Sequence, residues 1–414
     1  MHGPTNNFLR PEILSRGDYI PPSDVAALTP QIIKERLLKL QPLIRQNARN
    51  AELARRPVTE VISAIRKTGL FYLMVPRSQG GMGAAPNDLL DVTLPIAEVC
   101  MSTAWVCNFV VNHSWLFSHF PEQAHRETWG GGFPYLFVTT VSNPIGAARR
   151  VDGGYRVTGR WKWGSGILHA DWVMGFVFLE TESGPALGLA LFPVEDVKII
   201  DTWHTDGLCG TGSHDVSVDD LFVPSHRTVA IGPILEGTSG AADRFGSAIY
   251  GMPMVPFLGF AAAAPAIGGA KAAIAAIAAR LAAHTRVGDS VAQAEKPISQ
   301  ARLARADLLV RTGEMLIRQV GLEMTQFQSL PTEERIRARL RWRAQTAQSV
   351  HICRDAVLAA SASAGSSLHF LDNPLQRIMR DINVQSTHYA FDQDSAEEQY
   401  GRALVGLMPN SPLF

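Results

Sequence analysis

The sequence predicts an α+β protein in three zones: an N-terminal α-helical domain (residues 1–134), a central β-barrel or sandwich (135–240) and a C-terminal four-helix bundle (241–414). Three observations carry that reading. Apolar residues recur three and four apart in the first zone, short β-rich runs recur about every ten residues in the second, and long helical segments fill the third. At 414 residues the chain exceeds one ordinary core, so more than one domain is expected. An order of helices, strands and then a bundle argues against a Rossmann chain, in which strand and helix alternate.

In the first zone Leu37, Leu40, Leu43 and Ile44 make one helical stripe, and Val58, Val61, Ile62 and Ile65 make another. Pro76 and the cluster Gly80-Gly81-Met82-Gly83 break the run before helix resumes through Leu89 and Ile96. Strand texture begins at Tyr135-Leu-Phe-Val-Thr-Thr-Val141. Asp152-Gly153-Gly154 between alternating apolar residues signals a hairpin, and 172–179, 187–192, 197–200 and 216–223 supply further strands. Gly207-Leu-Cys-Gly-Thr-Gly212 lies between strands, whereas a dinucleotide fingerprint must open a helix. In the third zone 299–328 and 333–364 are long enough for bundle helices. The most apolar stretch, 260–283, is alanine-rich and interrupted by Pro265, Gly268, Gly269 and Lys271. It reads as a close-packed helix pair and not as a membrane span.

Hydrophobic residues at 46% and charged residues at 18% give ordinary globular material. The 38 basic and 38 acidic residues cancel, which argues against a nucleic-acid partner or a polybasic membrane anchor. Cys100, Cys107, Cys209 and Cys353 form no CxxC pair and read as small buried hydrophobes. Residues 1–18 contain no apolar leader segment, so the expected compartment is the cytoplasm. His119 and His125 show no metal-ligand spacing, and no metal is expected.

Several segments, in this order, resemble the acyl-CoA dehydrogenase superfamily over nearly the whole chain. They are Leu70-Phe-Tyr-Leu-Met-Val-Pro-Arg-Ser-Gln-Gly-Gly81, Pro297-Ile-Ser-Gln-Ala-Arg-Leu-Ala-Arg-Ala-Asp307 and Asn373-Pro-Leu-Gln-Arg-Ile-Met-Arg-Asp381. The family's dehydrogenases carry a catalytic Glu soon after the last of these. Here Asn383-Val-Gln-Ser-Thr-His-Tyr-Ala-Phe391 contains no carboxylate, and His388 stands in that neighbourhood. That departure resembles the group D two-component flavin monooxygenases, such as the 4-hydroxyphenylacetate and secosteroid-phenol hydroxylases. Gly159-Arg-Trp-Lys-Trp-Gly-Ser-Gly166, Asp201-Thr-Trp-His-Thr-Asp-Gly-Leu-Cys-Gly-Thr-Gly-Ser213 and Asp219-Asp-Leu-Phe-Val-Pro-Ser-His-Arg227 are similar to theirs as well.

The resemblance implies an oxygenase that takes reduced FMN or FAD from a separate NAD(P)H-dependent flavin reductase. With O2 as co-substrate it would hydroxylate a small phenolic or other electron-rich aromatic through a flavin C4a-hydroperoxide. Such a species must be kept from water, and a dry pocket with one placed hydroxyl suits that need. By resemblance Ser165 is that hydroxyl. His388 is the expected catalytic residue toward the substrate: a phenol with a pKa of about 10 meets an imidazole with a pKa of about 6.5. His113, in Val110-Val-Asn-His-Ser-Trp115, would polarise the substrate oxygen or the peroxide. Ser142, Trp163, Ser165, Thr211 and Ser213 are carried over as flavin contacts. Arg286 is carried over as a phosphate ligand, to a flavin that a neighbouring subunit could hold. Trp105, Trp115, Phe117 and Phe120 lie near His113 and could line a ring pocket. A homotetramer is expected. Three rival readings stay open: an indole-type or heteroatom oxygenase on the same scaffold, a dehydrogenase with a displaced base, and a non-catalytic flavin- or aromatic-binding module.

Overall fold

The computed structural model describes residues 8–11, 20, 22–129, 137–285, 288 and 290–411. Arg286, the start of the strand run at Tyr135, the 134/135 border and most of the 1–18 stretch lie outside the described residues. A short strand β1 (Phe8–Leu9) precedes the helices α1 (Pro22–Val25), α2 (Pro30–Ala54), α3 (Thr59–Arg66), α4 (Pro86–Ala97), α5 (Met101–Phe117) and α6 (Glu122–Thr128). The middle of the chain forms β2 (Val138–Val151), β3 (Gly154–Gly164), β4 (Trp172–Thr181), β5 (Gly184–Pro193), β6 (Lys198–Ile200), β7 (His214–Pro224) and β8 (Thr228–Ala230). Two short helices, α7 (Gly232–Glu236) and α8 (Ala241–Phe245), lead into α9 (Met254–Ala283), α10 (Pro297–Met324), α11 (Thr332–Ser361), α12 (Pro374–Ser386) and α13 (Gln393–Leu404).

Local chemistry explains the boundaries that matter for the site. The Thr29 hydroxyl accepts from the Ile32 N–H at 3.2 Å and Pro30 opens α2, so the helix begins there. Ile33, Leu37, Ile44, Ala48 and Ala51 form its buried face. The helix ends at Arg55, which adopts left-handed geometry (φ 52°). The Arg55 guanidinium reaches across to Asp201, tying the helical layer to the sheet. Asp152-Gly153 makes the expected two-residue hairpin, with Val151 opposite Gly154.

The strands form one sheet in the order β1-β6-β7-β3-β2-β4-β5-β8. Its pairs are antiparallel except β2 with β4, which run parallel. Pairing of the N-terminal β1 with β6 was not foreseen from the sequence, because two residues carry no period. The indole of Trp161 is wholly buried and donates to the Phe176 carbonyl at 2.8 Å. A Cβ on Gly159 or Gly146 would lie within 2.5 Å of that ring, so side chains there would displace it.

The expected pair of helices over 260–283 is instead one continuous helix, α9, with Pro265 inside it. Proline removes one helical hydrogen bond, but this stretch is buried on nearly every side, and packing outweighs that loss. A side-chain amide, Gln385 Nε2, donates to the Ala262 carbonyl at 2.9 Å in the adjoining turn. By length and apolarity α9 could cross a membrane, yet most of its apolar window is buried within the protein. It packs against α4 and α5 on one side and α10 and α11 on another. A Cβ on Gly268 would sit 2.3 Å from Ala97 Cβ, so glycine sets how closely α9 and α4 approach. Gly268→Val should therefore destabilise the fold by about 2 kcal/mol or more, the cost of overpacking a tight core. Chemical denaturation of the variant measures it, and an unchanged midpoint would refute this account of the α4–α9 contact.

Candidate active site

Three layers of the fold bring candidate side chains together. From α5 come Trp105, Phe109 and His113, spaced four apart and therefore on one helical face. From the end of β3 comes Ser165, just after Trp163 in left-handed geometry (φ 67°) with its ring more than half exposed. A non-glycine residue held there is strained, and such strain gathers at functional sites. From the end of α12 comes His388, which caps the short turn Tyr389–Phe391.

The contacts are specific. Trp105 Nε1 donates to Ser165 Oγ at 3.1 Å, while the same indole lies edge-on to the His388 ring at 5.2 Å between centroids. Phe109 packs at a tilt beside Trp105, 4.7 Å between centroids, with its ring 5.4 Å from that of His113 and 6.2 Å from that of His388. One indole thus bridges the sheet serine and the α12 histidine. Phe109 was missed from sequence; its position midway between Trp105 and His113 at helical spacing was the available signal. Trp115, Phe117 and Phe120 are wholly buried elsewhere. Trp115 packs on Phe257, and Phe117 packs on His125 and Trp129.

The two histidines are neutral and present opposite faces. His113 is buried, and its Nδ1 lies 2.7 Å from the Val138 carbonyl. A carbonyl can only accept, so Nδ1 carries the proton and Nε2 is a bare acceptor. His388 is the reverse: its Nδ1 accepts from the Ala390 N–H at 3.2 Å, which leaves the proton on Nε2. His388 is exposed to solvent, with the rings of Trp105, Phe109 and Phe391 packed around one side of it. Desolvation lowers the pKa of each to about 4; the bond to Val138 raises that of His113 in part.

Ser165 belongs to a line of hydroxyls. Its Oγ lies 2.8 Å from Ser213 Oγ, which lies 2.7 Å from Thr211 Oγ1, which donates to the Leu208 carbonyl at 2.9 Å. Thr211 and Ser213 are buried, so their hydroxyls serve this line. Leu208, also left-handed (φ 49°), donates its N–H to the buried carboxylate of Asp381 on α12 at 2.7 Å. Burial raises the Asp381 pKa to about 7, against the opposing pull of that N–H and of Arg377 and Arg380. A Cβ on Gly207 would lie 2.2 Å from the Arg380 carbonyl, so only glycine admits this approach of loop to helix. Ser142 is exposed on β2, where Asn143 pairs with Lys162 and the register then shifts. Ser142 and Trp163 therefore sit beside one another across the β2–β3 pair. A separate small cavity is lined by Arg280, His284, Gln293, Ser363 and Gly365, close in sequence to Arg286. Among the described residues no cluster of three or more metal-ligating side chains occurs.

Comparison with known proteins gives first a class and then a family. A family model described as "Acyl-CoA dehydrogenase, C-terminal domain" matches residues 260–393. XiaF from a Streptomyces species, solved in complex with FADH2 and glycerol, superposes with a TM-score of 0.87 at 28% identity, covering 95% of this chain and 99% of that one. The chain is 32% identical over 384 residues to a pigment production hydroxylase of a Rhodococcus species, covering 92% of this chain and 98% of that protein. It is 31% identical over 385 residues to the oxygenase component of an FADH2-dependent resorcinol hydroxylase of a Rhizobium species, covering 90% and 94%. The chain belongs to the family of flavin-dependent monooxygenase oxygenase components, built on the acyl-CoA dehydrogenase fold.

The low imidazole pKa values set a pH dependence. Between about pH 4 and the unperturbed value of about 6.5, the unfolded chain binds more protons at His113 than the folded one. The stabilisation is complete above pH 6.5 and is lost as the pH falls toward 4. Unfolding free energy should be lower at pH 5 than at pH 7, and His113→Asn should shrink that difference by about 1–2 kcal/mol. Equal pH slopes in denaturant titrations of the two proteins would refute it.

Proposed function

We propose that the chain is the oxygenase component of a two-component monooxygenase that hydroxylates a phenolic or other electron-rich aromatic ring. The observation that carries this reading is the pair of neutral histidines with opposite proton positions, joined by the aromatic wall of Trp105 and Phe109. Reduced FMN or FAD, when bound, activates O2 so that one oxygen atom passes to the ring. The residues present fit such a group. Ser165 keeps one acceptor position after receiving the Trp105 N–H, and Ser142 and the exposed Trp163 ring flank it on the sheet. Thr211 and Ser213 act behind Ser165 in this reading, through their bonds to it.

Trp105 and Phe109 supply apolar ring surface for an aromatic substrate. The His388 Nε2–H donates to the substrate oxygen, which favours the ionised phenol, the better nucleophile. His113 Nε2 accepts from a substrate hydroxyl. With pKa values of about 4, neither ring carries a second proton at neutral pH, so both act by hydrogen bonding. The carboxylate-free stretch 383–391 supports oxygenation over acyl-CoA dehydrogenation, since it offers no strong base for a carbon-bound proton.

A separate NAD(P)H-dependent reductase supplies the flavin in this scheme, and the three-zone division at 134/135 and 240/241 describes its domains. Leu308, Met315 and Leu322 stand 57–71% exposed at seven-residue spacing on α10, a stripe that supports association into a homotetramer. Arg286 and the cavity lined by Arg280 and His284 suit a flavin phosphate, held by a neighbouring subunit in such an assembly. We assign the protein to the cytoplasm.

The test supplies chemically reduced flavin, a panel of phenols and 18O2, and reads label in the product. One 18O atom in a hydroxylated phenol supports the proposal; unlabelled phenols throughout would overturn it. His388→Asn should lower product formation at least about tenfold while flavin affinity holds, because the residue faces the substrate. Equal loss of flavin binding would remove His388 from that role.

A further inference from the structure

Proton placement along the hydroxyl line is fixed by its two ends. Trp105 Nε1 can only donate, and the Leu208 carbonyl can only accept. Between them stand three hydroxyls, each with one proton to give, and four contacts of 2.7–3.1 Å. All four are hydrogen bonds in one arrangement alone. Trp105 gives to Ser165, Ser165 to Ser213, Ser213 to Thr211, and Thr211 to Leu208. The proton of Ser165 is thereby committed inward, and its oxygen retains one lone pair and nothing to donate. Thr211 and Ser213 are buried, which shelters this order from water. The far end is itself anchored by the Asp381 carboxylate on the Leu208 N–H and by Trp203 Nε1 on the Leu208 carbonyl at 3.0 Å.

The two oxidation states of a flavin differ at the N5 position of the central ring. Reduced flavin carries an N–H there and needs an acceptor, while oxidised flavin carries a lone pair and needs a donor. We propose that Ser213 and Thr211 are specificity-determining positioning residues that lock Ser165 as an acceptor, so that the site takes reduced flavin and disfavours the oxidised form. The inference rests on the reading of the surroundings of Ser165 as the flavin site. It gives the oxygenase a means of releasing spent flavin without any movement of the fold.

The experiment measures equilibrium binding of chemically reduced flavin under anaerobic conditions and of oxidised flavin in air, by calorimetry, for wild type and three variants. Ser213→Ala removes the acceptor of the Ser165 proton and frees it to turn outward. Oxidised flavin should then bind about three- to tenfold more tightly, the worth of one net hydrogen bond, with reduced flavin little changed. Thr211→Val keeps the shape but leaves Ser213 with Ser165 as its partner in the line. Ser213 then donates to Ser165, the order reverses, and the preference for reduced flavin should narrow by at least as much. Ser165→Ala should weaken reduced flavin by a similar factor. If Ser165→Ala shifts binding while Ser213→Ala and Thr211→Val keep the wild-type ratio of the two affinities, the locking proposal is overturned. If Ser165→Ala leaves both affinities unchanged, the placement of flavin at Ser165 fails, and the proposal with it.

Discussion

The bond between the Asp381 carboxylate and the Leu208 N–H is the constraint on which the rest of the site depends. It joins α12, whose end carries His388, to the loop that carries Thr211 and Ser213. Neither partner could be left alone: a buried carboxylate without a donor and a buried N–H without an acceptor are each costly. Arg380 adds a contact to the Asp206 carbonyl and an ion pair with Glu52 on α2, while Arg55 at the end of α2 holds Asp201. Helix, loop and sheet are therefore fastened at one seam.

Much of this was legible in the sequence, for identifiable reasons. Long helices and regular strands announce themselves by period, as α2, α10, α11, β4, β5 and β7 do. Segments 159–166, 201–213 and 373–381 were visible as motifs of a known family, and the match over nine-tenths of the chain to the oxygenase component of an FADH2-dependent resorcinol hydroxylase agrees with that resemblance. What period cannot show is which neighbours a residue will meet. The sequence offered Trp105, Trp115, Phe117 and Phe120 as equals, and tertiary packing separated Trp105 from three core residues. Pro265 suggested a break because proline propensity is a local rule, and burial of α9 overrode it. The proton positions on His113 and His388 depend on a carbonyl and an amide distant or unmarked in sequence, so no motif could have given them.

The two histidines also show how one residue type presents two hydrogen-bonding characters without any charge. Desolvation by the surrounding protein holds the pKa of both rings well below the usual imidazole value, with His113 fully buried and His388 packed against aromatic rings. What distinguishes them is the backbone group that each Nδ1 meets. A carbonyl in β2 makes one ring an acceptor, and an amide in the turn after α12 makes the other a donor. Main-chain geometry thus writes the chemistry of the side chains.

The layered origin of the site bears on how such proteins diverge. In the proposed site, the surface for an aromatic ring comes from one face of α5 and the tip of α12, whereas the hydroxyl line stands on the sheet and its loop. On that reading, replacement of Phe109, or of other residues along that helical face, would reshape what is admitted without touching the residues on the sheet. A handful of changes on a single helix would then suffice for a new diet, with the oxygen chemistry left to the other layer.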